Sequence, residues 1–204
     1  MELDSNYKLI GDFEVSKIKA ILLSYRDEWE KNQSRQERYK LFHGDSKNIF
    51  ITDIEASWDG HGFPLVHHEV EEDLRDHTLK IVKRLEEELK GTVGKCLFIN
   101  LPAGKKVNPH VDMGYYLTSV HRVHIPIMTH GDVDFSVGGE TINMKEGVCY
   151  EINNMRTHAV DNRSNVDRIH LLIDIMPPHI FKSNDQSLVS DNVISQRSQL
   201  KNFK

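Results

Sequence analysis

The 204-residue chain is 38% hydrophobic and 28% charged, with a formal net charge of -5. This suits a globular protein of one ordinary domain and argues against broad electrostatic binding to nucleic acid. No run approaches the ~20 apolar residues that a membrane span needs, and the opening MELDSNYKLIGDFEVSK lacks the apolar stretch of a secretory leader.

Taken in chain order, Val15, Ile18, Leu22, Tyr25 and Trp29 recur at helical spacing, which predicts a helix capped by Asp12. NQSRQER is a polar break, and NIFITDI (48–54) reads as a strand. SWDGHGFP (57–64) is loop material. Its Trp58, Asp59 and His61 fit a structural loop better than a substrate lid. Val66, Val70, Leu74, Ile81, Leu85 and Leu89 then share one face of a long predicted helix. Gly91 is its natural stop, and His67, His68 and His77 lie on its surface.

From residue 93 the pattern changes to short strands. KCLFINL is followed by HRVHIPIM, which sets Val123, Ile125 and Ile127 on one face and Arg122, His124 and Pro126 on the other. VDFSV turns through Gly138-Gly139 into ETINM, and VCYEI, HAV and RIHLLIDIM complete the series. The expected fold is mainly β with flanking N-terminal helices, a sandwich or jelly roll. One domain is expected over 1–181, with a helical or mixed part at 1–92, a core at 93–181 and a polar C-terminal tail at 182–204. Cys96 and Cys149 lie far apart in apolar runs and are expected to be reduced, buried thiols of a cytoplasmic protein.

The chain carries twelve histidines, so their placement is what informs. In NPHVD, His110 and Asp112 stand at i and i+2, so an extended backbone projects both to one side. His158, which opens a later strand, could add a second imidazole. Two histidines and a carboxylate on a β scaffold make the facial triad of non-haem iron oxygenases. Zinc hydrolases also use this ligand set, which leaves the metal open. Arg168 begins an otherwise apolar strand and therefore needs a partner. That partner could be Asp174 or Asp134, the solvent edge, or the carboxylate of a co-substrate gripped bidentately. Arg122 and His124, again at i and i+2, offer further donors on one side. Asn153, Asn154 and Asn162 flank His158 and could orient the ligands, but they suit turns better. His121 points away from Arg122; His170, two residues beyond Arg168, could face the same cavity, but a place outside the site suits it better.

The segments PHVD, HRVHIPI, VDFSVGGE, KEGVCYEINN and HAVDNRSNVDRIHLLID, between residues 97 and 176, resemble the aspartyl/asparaginyl β-hydroxylase family of Fe(II)/2-oxoglutarate dioxygenases. The resemblance implies a double-stranded β-helix, or cupin-like jelly roll. It implies Fe(II) held by His110, Asp112 and His158. It also implies 2-oxoglutarate as co-substrate, anchored by Arg168 and assisted by Arg122 and His124, with O₂ as oxidant. Some relatives have glycine where this chain has Asp112, so a full triad is expected here and halogenation is disfavoured. The implied reaction is hydroxylation of an unactivated C–H, with decarboxylation of 2-oxoglutarate to succinate. The expected substrate is an Asp/Asn-type residue in a peptide or protein. The alternatives are a free amino acid such as proline or asparagine, or a non-catalytic cupin-like binding module.

Overall fold

Arg168–Met176, RIHLLIDIM, is buried along its whole length, and it organises the protein into layers. Its odd residues, Ile169, Leu171, Ile173 and Ile175, belong to a core shared with the helices. Its even residues, Arg168, His170, Leu172 and Asp174, therefore face the opposite side of the sheet. The computed structural model describes residues 3–25, 28–31, 45–55 and 63–181.

The elements are β1 (Tyr7–Asp12), α1 (Ser16–Ser24), β2 (Lys47–Ile54), β3 (Leu65–His67), α2 (Glu72–Glu88), β4 (Thr92–Leu101), β5 (Lys106–His110) and α3 (Tyr115–Ser119). They continue with β6 (His121–Met128), β7 (Val133–Val137), β8 (Glu140–Ile142), β9 (Val148–Ile152), β10 (His158–Asn162) and β11 (Arg168–Met176). One sheet has seven strands in the order β1-β9-β6-β11-β4-β2-β3, and the other has four in the order β5-β10-β7-β8. The expected mainly β architecture is present, with its strands in two antiparallel sheets.

The large sheet is covered on its outer face by Ile18 and Leu22 of α1 and by Leu74, Ile81, Val82 and Leu85 of α2. On its inner face, Leu101, Tyr150 and Ile152 meet Val107, Val133, Phe135, Val137 and Val160 of the small sheet. Polar residues placed on that inner face are thus enclosed between the sheets. The β7–β8 hairpin turns through Gly138 and Gly139, both at positive φ, as the sequence signal requires.

Four elements depart from the sequence expectations. Asp12 ends strand β1, which pairs with β9 at the sheet edge, and so it does not cap the first helix. That helix stops at Ser24 because Tyr25 is extended; Trp29 is buried from a separate helical turn, Glu28–Glu30. The second helix begins at Glu72. Leu65–His67 pairs with β2, which takes Val66 and His67 off the helix, while His68 lies between the two elements and His77 stays on α2. At its end Lys90, not Gly91, takes the left-handed conformation, and the Gly91 N–H bonds back to Glu86 O at 3.1 Å. Gly91 serves close packing instead: a Cβ there would lie 2.6 Å from both Ile175 Cγ2 and Met176 O. No helix among the described residues is long and apolar enough to cross a membrane. The expected loop with Trp58, Asp59 and His61, the NQSRQER break and the polar tail lie outside the described residues.

Candidate active site

The pairing of β5 with β10 sets His110 directly opposite His158, with ring centroids 4.2 Å apart. β5 ends at His110, so Asp112 lies in the following loop, where its backbone N–H donates to Asn154 O at 3.1 Å. One ligand atom from each of His110, Asp112 and His158 falls within 4.8 Å of the others, a group that could hold a metal ion. His110 Nδ1 lies 2.8 Å from Asn108 O, and His158 Nδ1 lies 3.0 Å from Arg156 O. A carbonyl oxygen only accepts, so in each ring Nδ1 carries a proton and Nε2 is the atom left to face a metal. Backbone carbonyls thus do the orienting that the asparagines flanking His158 could have done. Asn153 and Asn162 donate to backbone carbonyls elsewhere, while Asn154 Nδ2 does reach Asp112 Oδ2, at 3.2 Å.

Burial pushes the Asp112 carboxyl up. The Arg122 guanidinium and then His158 more than offset that, and hold it at about 2. The folded pKa lies below the unfolded one, so this carboxylate adds stability above about pH 4 and loses it as pH falls toward 2. The metal-free protein is expected to lose about 2 kcal/mol over that window from this group, and Asp112→Asn should remove that part of the pH dependence. Denaturant titrations of both proteins across that range would check this.

Arg122 is engaged on two sides. Its Nε and Nη2 donate to the two carboxylate oxygens of Asp174, each at 2.8 Å, and its Nη1 donates to Asp112 Oδ2. Asp174 is fully buried, opposite Arg122 across the β6–β11 pair. Burial lowers the guanidinium pKa, but Asp112 and Asp174 outweigh burial and raise it. Tyr116 of α3 adjoins Asp174 and accepts from the Lys95 backbone N–H at 3.0 Å. Gly94 makes this possible, since a Cβ there would stand 2.3 Å from Tyr116 Oη. Gly94→Ala should displace the buried tyrosine and cost about 1–3 kcal/mol in a denaturation experiment.

A second polar group lies further along the same inner face. Arg168, 2% exposed, donates from Nη2 to His170 Nδ1 at 2.6 Å. Its Cζ sits 6.0 Å from the Phe135 ring centre. His124 packs against both Phe135 (5.4 Å) and His170 (5.9 Å). The two carboxylates considered as partners for Arg168 are engaged by other arginines: Asp174 by Arg122 and Asp134 by Arg163. His124 Nδ1 and His170 Nε2 are buried without a hydrogen-bond partner among the described residues. Burial, and then Arg168, holds both rings well below the usual histidine pKa, so both are neutral. A buried cation flanked by unspent imidazole nitrogens is suited to an anion.

The aspartyl/asparaginyl β-hydroxylase family profile matches residues 17–178, most of the chain and every residue named in the site. The chain belongs to this family. The hydroxylase is accordingly an Fe(II)/2-oxoglutarate-dependent enzyme. Its fold is similar to that of a Pseudomonas putida prolyl-4-hydroxylase (11% identity, 85% of this chain and 94% of that one, TM-score 0.55). It is also similar to a viral collagen prolyl hydroxylase from Paramecium bursaria Chlorella virus-1 (11% identity, 85% and 97%, TM-score 0.54). A third similar structure is a Trichoplax adhaerens prolyl hydroxylase in complex with a hypoxia inducible factor peptide (11% identity, 90% and 89%, TM-score 0.52). No curated protein matches the hydroxylase in sequence.

The residues present fit the groups that the family implies. Two imidazole Nε2 atoms and a carboxylate suit Fe(II). The buried Arg168 with its two histidines suits a carboxylate of 2-oxoglutarate. Of the residues expected to meet the co-substrate, Arg168 and His124 share one space; Arg122 is taken up by Asp112 and Asp174. His121 lies apart from both groups and bonds to Glu151 Oε1 at 2.6 Å. Asp174, six residues beyond Arg168, lies on the same face of β11, but its pairing with Arg122 leaves no mark in the sequence. Tyr116 is buried on a five-residue helix, and no spacing ties it to Asp174 in advance.

Proposed function

We propose that the protein hydroxylates an unactivated C–H of an Asp/Asn-type residue within a peptide or protein. The observation that carries this reading is the His110–Asp112–His158 group on the same two-sheet scaffold as the anion-suited pocket of Arg168. His110, Asp112 and His158 hold the metal through two Nε2 atoms and a carboxylate oxygen. Arg168 and His124 receive 2-oxoglutarate, and Arg122 acts through Asp112 by fixing its carboxylate. Bound together, Fe(II), 2-oxoglutarate and O₂ supply the oxidising power and the oxygen atom, with succinate and CO₂ as co-products. The chain's part is to position these groups and to keep the inner pocket dry.

A polypeptide substrate is favoured by the outer edge of the site. His110 is half-exposed, and Val111, Met113, Tyr115 and Met155, its neighbours and those of Asp112 and His158 in the chain, are all exposed. Such side chains offer contact to residues flanking a target. They offer no charge for the free α-amino and α-carboxylate groups of an amino acid. Iron-loaded protein with 2-oxoglutarate should be offered peptides centred on Asp, Asn or Pro, and the same amino acids free. Gain of one oxygen by an Asp or Asn peptide is expected. Oxidation of a free amino acid with every peptide untouched would replace this reading, and oxidation of Pro peptides alone would move the target residue.

A further inference from the structure

His170 is a residue the metal group does not use, and its chemistry is unusually well determined. A guanidinium N–H can only donate, so Arg168 Nη2 at 2.6 Å makes His170 Nδ1 an acceptor. The ring is 1% exposed and held neutral by burial and by Arg168. Its single proton must therefore sit on Nε2. That N–H is buried and has no hydrogen-bond partner among the described residues. Buried donors are nearly always paired, so one without a partner points to a ligand acceptor. His170 lies between Arg168, which it touches, and His124, whose ring centre is 5.9 Å away, and Phe135 closes the space against both Arg168 and His124. Alternation on β11 puts His170 on the same inner face as Arg168.

We propose that His170 is a co-substrate-binding residue whose Nε2–H donates to the carboxylate of 2-oxoglutarate that Arg168 grips. The inference rests on the reading of Arg168 as the co-substrate anchor. Together the two side chains form one clamp: Arg168 supplies charge and fixes the imidazole tautomer, and His170 supplies a second, neutral donor. Arg122 spends three of its five N–H groups on Asp112 and Asp174, and His170 adds a donor beside Arg168.

The test is calorimetric titration of 2-oxoglutarate into the Mn(II)-loaded, oxygen-free protein, which reads binding without turnover. A hydrogen bond to a charged group implies a Kd about 10- to 100-fold higher in His170→Phe. His170→Gln, which keeps an N–H donor, should recover part of that loss. In histidine-¹⁵N-labelled wild type, the His170 Nε2 resonance should shift on saturation with 2-oxoglutarate, a readout independent of whether either variant folds. An unmoved resonance, or wild-type affinity in His170→Phe, overturns the role of His170. If Arg168→Leu still loses binding in that case, the anchor reading survives. If wild type itself fails to bind 2-oxoglutarate, the anchor reading fails instead.

Discussion

Alanine in place of His158 is expected to lower 2-oxoglutarate turnover at least 100-fold, with the fold intact. Even groups that only support a metal ligand typically cost about 10- to 100-fold when removed, so losing a ligand outright should cost no less. His158 cannot be replaced by a neighbour. Its Nδ1 is tied to Arg156 O and its ring faces His110 across the β5–β10 pair, so its Nε2 alone closes the group opposite Asp112, 3.9 Å away. The strand should persist, since Val160 and Asn162 still anchor β10 against its neighbours. Succinate release measured alongside circular dichroism separates the two effects. Turnover within a few-fold of wild type would remove His158 from the metal site.

Arg122→Met should have the second large effect, and on two properties at once. It strips the partner from Asp174, which has no exposure, and from Asp112, whose side chain is only 11% exposed. Breaking a buried ion pair from one side costs about 3–5 kcal/mol, because the remaining charge has neither water nor a counter-ion. The Asp112 carboxylate also loses the group that most favours its ionised form, so metal affinity should fall about 10- to 100-fold. Arg122→Lys should rescue little of this, since an ammonium cannot donate along both edges as the guanidinium fork does. Denaturant unfolding and Mn(II) titration of the two variants read the two effects separately. Unchanged stability in Arg122→Met would show that the buried network contributes nothing.

These two sites differ in how far the sequence disclosed them. The strands His121–Met128 and Arg168–Met176 were legible because alternation marks both faces: apolar residues toward the helices, Arg122, His124 and Arg168 toward the interior. The same alternation carried His170 and Asp174 inward, but it says nothing about partners. Asp174 could be suggested as a partner only for its strand neighbour Arg168. Its pairing with Arg122 depends on the register of β11 against β6, which two strands far apart in the chain do not reveal. Asp112 was placed with His110 by spacing, although its loop geometry comes from a tertiary hydrogen bond to Asn154. The short edge strands Tyr7–Asp12 and Leu65–His67 exist through their pairing with β9 and β2 and carry little signal of their own. Val66 accordingly passed for the first residue of a helical stripe.

His110, Asp112 and His158 are proposed to hold Fe(II) next to 2-oxoglutarate anchored at Arg168. Succinate formation by the purified, iron-loaded protein, with 2-oxoglutarate, ascorbate and O₂, tests this arrangement most directly. Slow succinate release is expected even without prime substrate, dependent on iron, abolished in Asp112→Ala and His158→Ala and weakened through 2-oxoglutarate affinity in Arg168→Leu. No consumption of 2-oxoglutarate and no binding of it by the metal-loaded wild type would contradict it.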